Sequence, residues 1–216
     1  MRQRRGFTLS EVLVSVSLIA VLLGILVPAL VHSREAARRT ICSNRIRQGA
    51  FALLHLTDTG KRLPSNEPTA WSIQVVEHLD PTFFSTQVSA LSNASDHEPL
   101  SLNRVNGLLC PTGKKTLIDG RNISNFAMNE SILGLKLAHI SDGTSATILL
   151  AEIPSELASL WTWGPLANTD NTGSSHPGMC HIAAIDGSIH RVSQSTDRTV
   201  MASWFDPVDG KTNPIE

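Results

Sequence analysis

The 216-residue chain is predicted to be an α+β protein, with a long N-terminal membrane and stem helix packed on a small antiparallel β-sheet domain. Three observations predict this. Residues 12–31 form an apolar run broken only by Ser15, Ser17, Gly24 and Pro28. Residues 33–56 carry an apolar pattern onward at helical spacing. The remaining stretch of about 160 residues, enough for one hydrophobic core, reads as short β-prone segments separated by turn residues.

As a helix rising ~1.5 Å per residue, the apolar run spans ~30 Å, the thickness of one hydrocarbon core. A secretory signal would have a shorter apolar core and a small-residue cleavage site at its far end, and residues 27–32 offer no such site. Arg2, Arg4 and Arg5 precede the span and place the N-terminus in the cytoplasm, against a weaker opposing pull from Arg34, Arg38 and Arg39. Pro28 removes one backbone bond, which membrane helices tolerate where neighbours or water satisfy the freed carbonyl.

Glu11 sits at the edge of this span, where a carboxylate is unfavourable unless paired or held among headgroups. Two roles are open to it. It is either the charge partner of an amine in an assembly of stems, or an acid favoured at a helix start by the helix dipole.

Beyond the span, Ala36, Ala37, Ile41, Ile46, Ala50, Leu53 and Leu54 make an apolar stripe, with Arg34, Arg38, Arg39, Arg45 and Arg47 on the remaining surface. Asp58, Thr59, Gly60 and Pro64 stop the helix near residues 57–60. No aromatic residue interleaves these arginines, so they read as a solvated or headgroup-facing side and no nucleic-acid partner is expected. A formal net charge of −1 likewise asks for no polyanionic partner.

In the outer domain, residues 105–110, 123–128, 144–152, 160–163, 180–185 and 188–193 are predicted strands. Residues 72–79 and 198–205 are predicted helices, the second capped by Thr196 or Asp197. Residues 80–99 and 168–177 read as loops. Tyrosine is absent, which disfavours stacking platforms, although Trp71, Trp161, Trp163 and Trp204 are available.

Cys42, Cys110 and Cys180 allow at most one internal disulfide. Cys42 with Cys110 is the expected pair, because that bond would tie the outer domain to its helix, and Cys180 is then a buried residue opening a strand. Asp186-Gly187 is the pair a two-residue type I′ hairpin requires. That turn would pair Ile185 with Ser188, Ala183 with His190 and His181 with Val192, so His181 and His190 would share a sheet face. With His176 they would have the makings of a metal site. Without a CxxC or HxxxH spacing or a suitably placed carboxylate, they are expected to be separate surface histidines, and no metal is expected.

A hydrolase would have to recruit His176, Asp186 and Ser188, or Asp142 with Ser145. Both Asp-Gly pairs read as turn chemistry and no GxSxG setting occurs, so neither catalysis nor a cofactor is expected.

The string Arg5-Gly6-Phe7-Thr8-Leu9-Ser10-Glu11 resembles the processing signal of type IV pilins and type II secretion pseudopilins. The resemblance implies cleavage between Gly6 and Phe7 by a prepilin peptidase and N-methylation of Phe7. It gives Glu11, fifth in the mature chain, the assembly role. His176, nine intervening residues, then Asp186 and Gly187 resemble the H-x9-D-G signature of the DUF1559 family of prepilin-like proteins, typical of planctomycete-type bacteria. Residues 34–39 with 42–44, 71–79, 110–112, 124–127 and 140–145 resemble further blocks of that family, while Met179 and His190 depart from its pattern.

What the resemblance implies is a pilin-like lollipop: a leader over residues 1–6, a transmembrane stem over 7–31, a soluble stem over 32–59 and an extracytoplasmic domain over 60–216. It implies a single-pass inner-membrane protein with a cytoplasmic N-terminus and no catalytic activity. The implied partners are the prepilin peptidase and N-methyltransferase, like or related pilin subunits met through the stem, and membrane lipid. An anchored binding module that presents its sheet to polysaccharide or protein is the alternative. Secretion pseudopilins can carry calcium in a late loop, but Asp170, Asp186, Asp206 and Asp209 are too scattered to place such a site.

Overall fold

The computed structural model describes residues 8–60, 62–67, 69–80, 98–113, 117–212 and 215. Gly6, Phe7 and most of the loop expected over residues 80–99 lie outside the described residues.

Helix α1 runs from Leu9 to Gly60, so its end falls where Asp58, Thr59 and Gly60 predict it. The chain divides into two compact units, Met1–Arg39 and Thr40–Glu216. Within the first unit, α1 is apolar on every side over residues 9–31, where its large side chains are 48–85% exposed. A helix this long and apolar fits a single-pass membrane anchor. Pro28 lies inside it without ending it.

In the second unit the remainder of α1 turns one stripe inward: Cys42, Ile46, Gly49, Ala50, Leu53 and Thr57, spaced by three and four residues, are buried. Each fully buried Ile or Leu on that stripe contributes about 1.5–3 kcal/mol of transfer free energy. Ile41, expected on it, is 44% exposed. Arg45, expected in solvent, donates from Nη1 to the Leu109 carbonyl at 2.7 Å.

Helix α2, Trp71–Leu79, follows. The strands are β1 Leu117–Ile118, β2 Arg121–Ser124, β3 Phe126–Asn129, β4 Ile148–Glu152, β5 Ser159–Leu160, β6 Leu166–Ala167, β7 Met179–Ala184 and β8 Ile189–Ser193, and helix α3, Arg198–Phe205, comes after them. A three-stranded sheet has the order β1-β2-β5 and a five-stranded sheet the order β6-β3-β4-β7-β8. The pairings are antiparallel except β3 with β6, which is parallel.

Both faces of the larger sheet are covered. Phe126, Met128, Leu150 and Ala183 pack in one core with α2 and the buried stripe of α1. Ala127, Ala151, Cys180 and Ile182 pack in a second core with Met201, Trp204 and Phe205 of α3. Asp197 caps α3 as expected, accepting from the Thr199 amide at 2.7 Å.

Several predicted elements differ. Residues 105–110 form no strand, and a 3₁₀ turn occupies Asn106–Leu108, where Asn-Gly breaks the extended run. The single strand expected over 123–128 is two, β2 and β3, parted at Asn125. Residues 161–163 also close into a 3₁₀ turn. Trp71, Trp161 and Trp204 are core residues, leaving Trp163, at 64% exposure, on the surface.

Candidate functional site

Thr8 and Glu11 form a reciprocal capping box at the start of α1. The Glu11 amide donates to Thr8 Oγ1 at 3.3 Å, while Glu11 Oε2 accepts from the Thr8 amide and hydroxyl, both at 2.8 Å. Glu11 therefore holds the first turn of its own helix and remains exposed.

The hairpin motif separates into two places. Asp186 and Gly187 make the turn, but in a different geometry from the one expected. The Gly187 amide donates to the Ala184 carbonyl at 3.0 Å and the Ala184 amide to the Ser188 carbonyl at 2.9 Å. Gly187 has φ +85° whereas Asp186 does not have a positive φ. This is the three-residue loop of a type I turn followed by a left-handed glycine, not a two-residue type I′ turn. The register is shifted by one: Ala183 pairs with Ile189, Ile182 with His190 and His181 with Arg191. A one-residue slip exchanges the faces of a strand, so His181 and His190 are on opposite faces, contrary to the expectation.

His190 lies near the turn, 2.8 Å by Nε2 from Ser188 Oγ. Ser188 also donates its hydroxyl to Asp186 Oδ1 at 2.5 Å and its amide to the same oxygen at 2.8 Å. Asp186 thus closes the turn around Ser188, and His176 takes no part in it.

His176 and His181 are not surface residues; each is 1% exposed. Their rings meet edge to face with centroids 5.8 Å apart. His181 comes from β7, on the face that carries Ala183, and meets Glu152 at the end of β4. Glu152 Oε2 accepts from the His181 amide at 2.9 Å, and Oε1 lies 3.1 Å from Nδ1. Cys42, on the buried stripe of α1, donates from Sγ to Glu152 Oε1 at 2.6 Å. Cys110 Sγ lies 3.4 Å from His176 Nε2. Cys110 is held there because its amide donates to Asn125 Oδ1 at 2.9 Å, at the break between β2 and β3.

Burial would raise the Glu152 pKa, but the hydrogen bond and charge of His181, with help from the Cys42 thiol, hold it below the usual carboxylate range. Cys42 is pushed far up by the neighbouring Cys110 thiol, by burial and by the Glu152 carboxylate. Cys110 is moved down, chiefly by the neighbouring Cys42 thiol, with His176 assisting. Burial, then Glu152, pushes Cys180 up to about 12.

The expected disulfide partners are therefore brought together, but as buried free thiols rather than a bond. Cys180 is free and buried in β7, as expected. The carboxylate absent from the sequence reading is Glu152. Its signal was an acid closing the apolar run Ile148, Leu149, Leu150, Ala151, with Ile153 beyond.

The N-terminal segment is the part that comparison with known proteins identifies. Residues 1–27 match the family model for the prokaryotic N-terminal methylation motif. The segment is type IV prepilin-like. This supports a pilin-like or pseudopilin subunit, and the motif implies processing by a prepilin peptidase and assembly with pilin subunits in general. Neither the curated proteins nor the solved structures contain a match to the chain.

Proposed function

We propose that the prepilin-like chain is a structural subunit, cut after Gly6, N-methylated at Phe7, and assembled through α1 into a pilus or a type II secretion-like pseudopilus. Its N-terminus is cytoplasmic before processing and its second unit extracytoplasmic. It is a member of the H-x9-D-G prepilin-like family and carries out no catalysis. The observation that carries this reading is the methylation motif running directly into a helix apolar on all sides. A helix of that kind needs lipid or other helices around it. Neighbouring stems in a filament supply the second once the subunit leaves the first.

Glu11 connects processing to assembly. Its carboxylate is exposed and oriented by Thr8, so the methylated amine of a neighbouring subunit has a fixed partner. The mature N-terminus, read by mass spectrometry, should begin at methylated Phe7. Gly6→Leu should leave full-length precursor in the membrane, and efficient trimming of that variant would sink the peptidase assignment. Glu11→Gln keeps a capping-box acceptor but removes the charge. It should be cleaved normally and lost from filaments; wild-type incorporation would leave Glu11 as a helix cap alone, and a chain that never enters filaments would favour the anchored binding module.

A further inference from the structure

We propose that Cys42, Glu152, His176 and His181 bind a single zinc ion at a closed structural site inside the second unit. Their four donor atoms lie within 4.8 Å of one another, and all four residues are buried. They come from four separate segments: the stripe of α1, the end of β4, the loop before β7, and β7 itself.

A core built for packing alone has no reason to gather a thiol, a carboxylate and two imidazoles in one place, because buried polar groups are tolerated only when paired. Here the contacts are unusually close. Cys42 Sγ sits 2.6 Å from Glu152 Oε1, tighter than even an O–H···O bond of about 2.7–2.8 Å. Ligand bonds of about 2.0–2.3 Å around a tetrahedral ion set donor separations of roughly 3.3–3.8 Å. The four donors therefore need only small side-chain movements to reach that arrangement.

The donor chemistry selects the ion. Calcium and magnesium take oxygen ligands, whereas imidazole and thiolate together suit zinc and its neighbours. A thiolate and a carboxylate bring two negative charges, which a dication cancels inside the core. On binding, the Cys42 thiol proton passes to solvent, and the Cys42–Glu152 and His181–Glu152 hydrogen bonds give way to metal bonds. Four protein ligands leave no open position, so the site is structural. It pins α1 at residue 42 to the end of β4, to β7 and to the loop before it. Cys110, beside His176, stays outside the ligand set.

The test uses the full chain in detergent, stripped with a chelator and titrated with cobalt(II), then zinc(II). The wild type should take up one equivalent of cobalt with a thiolate-to-cobalt charge-transfer band and tetrahedral d–d intensity. Zinc should displace the cobalt and raise the unfolding temperature. Cys42→Ser should lose the charge-transfer band, and His176→Ala should weaken binding by at least about tenfold, with circular dichroism of the metal-free proteins confirming that both variants fold. Cys110→Ser should bind as the wild type does, a control that holds even where another variant fails to fold. No saturable binding by the wild type, a band that survives Cys42→Ser, a band lost in Cys110→Ser, or a Cys42–Cys110 disulfide in the native chain would overturn the proposal.

Discussion

The two stretches of one helix, α1, are written differently and meet different surroundings. Over residues 9–31 Leu, Val and Ile occupy every side and stand 48–85% exposed. From residue 40 onward, Cys42, Ile46, Gly49, Ala50, Leu53 and Thr57 make one buried stripe, while Ile41, Phe51 and Arg47 stay exposed. A helix apolar all round is written for lipid or for other helices, while a striped one is written for a globular core. What separates the two is both how much of the surface is apolar and how the polar residues are spaced.

The sharpest way to break that comparison is one substitution made in each stretch. Leu53→Ala, at a fully buried position, should destabilise the second unit by about 2–5 kcal/mol. That would lower the unfolding midpoint on the order of 5–15 °C. Leu22→Ala, at 58% exposure, should change it by less than about 0.5 kcal/mol. Equal effects in thermal unfolding of the full chain in detergent would show that the exposed stretch contributes to the folded core after all.

Glycine gives a second, smaller contrast. A Cβ on Gly49 would meet Leu150 Cδ2 at 3.0 Å, whereas one on Gly24 would meet nothing within 4 Å. Gly49→Val should therefore cost about 1–3 kcal/mol by overpacking, and Gly24→Val should leave the unfolding midpoint unchanged. If Gly49→Val is silent, α1 and β4 are not packed as closely as described.

The smallest effect belongs to the hairpin, where conformation rather than space decides. A Cβ on Gly187 would make only ordinary 3.5 Å contacts with Leu54 and Phe51, but its φ is +85°. Gly187→Ala should cost about 1–2 kcal/mol for a left-handed residue, read by denaturant unfolding. A neutral result would contradict the three-residue turn.

The legible parts of this fold are those set by neighbours in the chain. The end of α1, the extent of α3 and its Asp197 cap are read correctly because capping and helical spacing act within a few residues. The hairpin is legible in the sequence but its register is not: Asp-Gly serves both a two-residue and a three-residue turn, and the choice moves His190 to the opposite face from His181. The strand expected at 105–110 failed for a related reason. β-prone residues there are taken over by an Asn-Gly turn, and the Cys110 amide is satisfied by Asn125 instead of a strand partner.

The processing segment, by contrast, is recognised as a short contiguous word, and residues 1–27 suffice for it. What the amino-acid order determines alone is thus the anchor, the processing signal and the α+β class, because each depends on composition or spacing along one stretch of chain. What only the tertiary structure decides is that Cys42, Glu152, His176 and His181 share one buried site. Those residues come from segments up to 139 positions apart in sequence, and their meeting depends on which face of β4 and β7 turns toward α1, a choice made by register and packing rather than by local pattern.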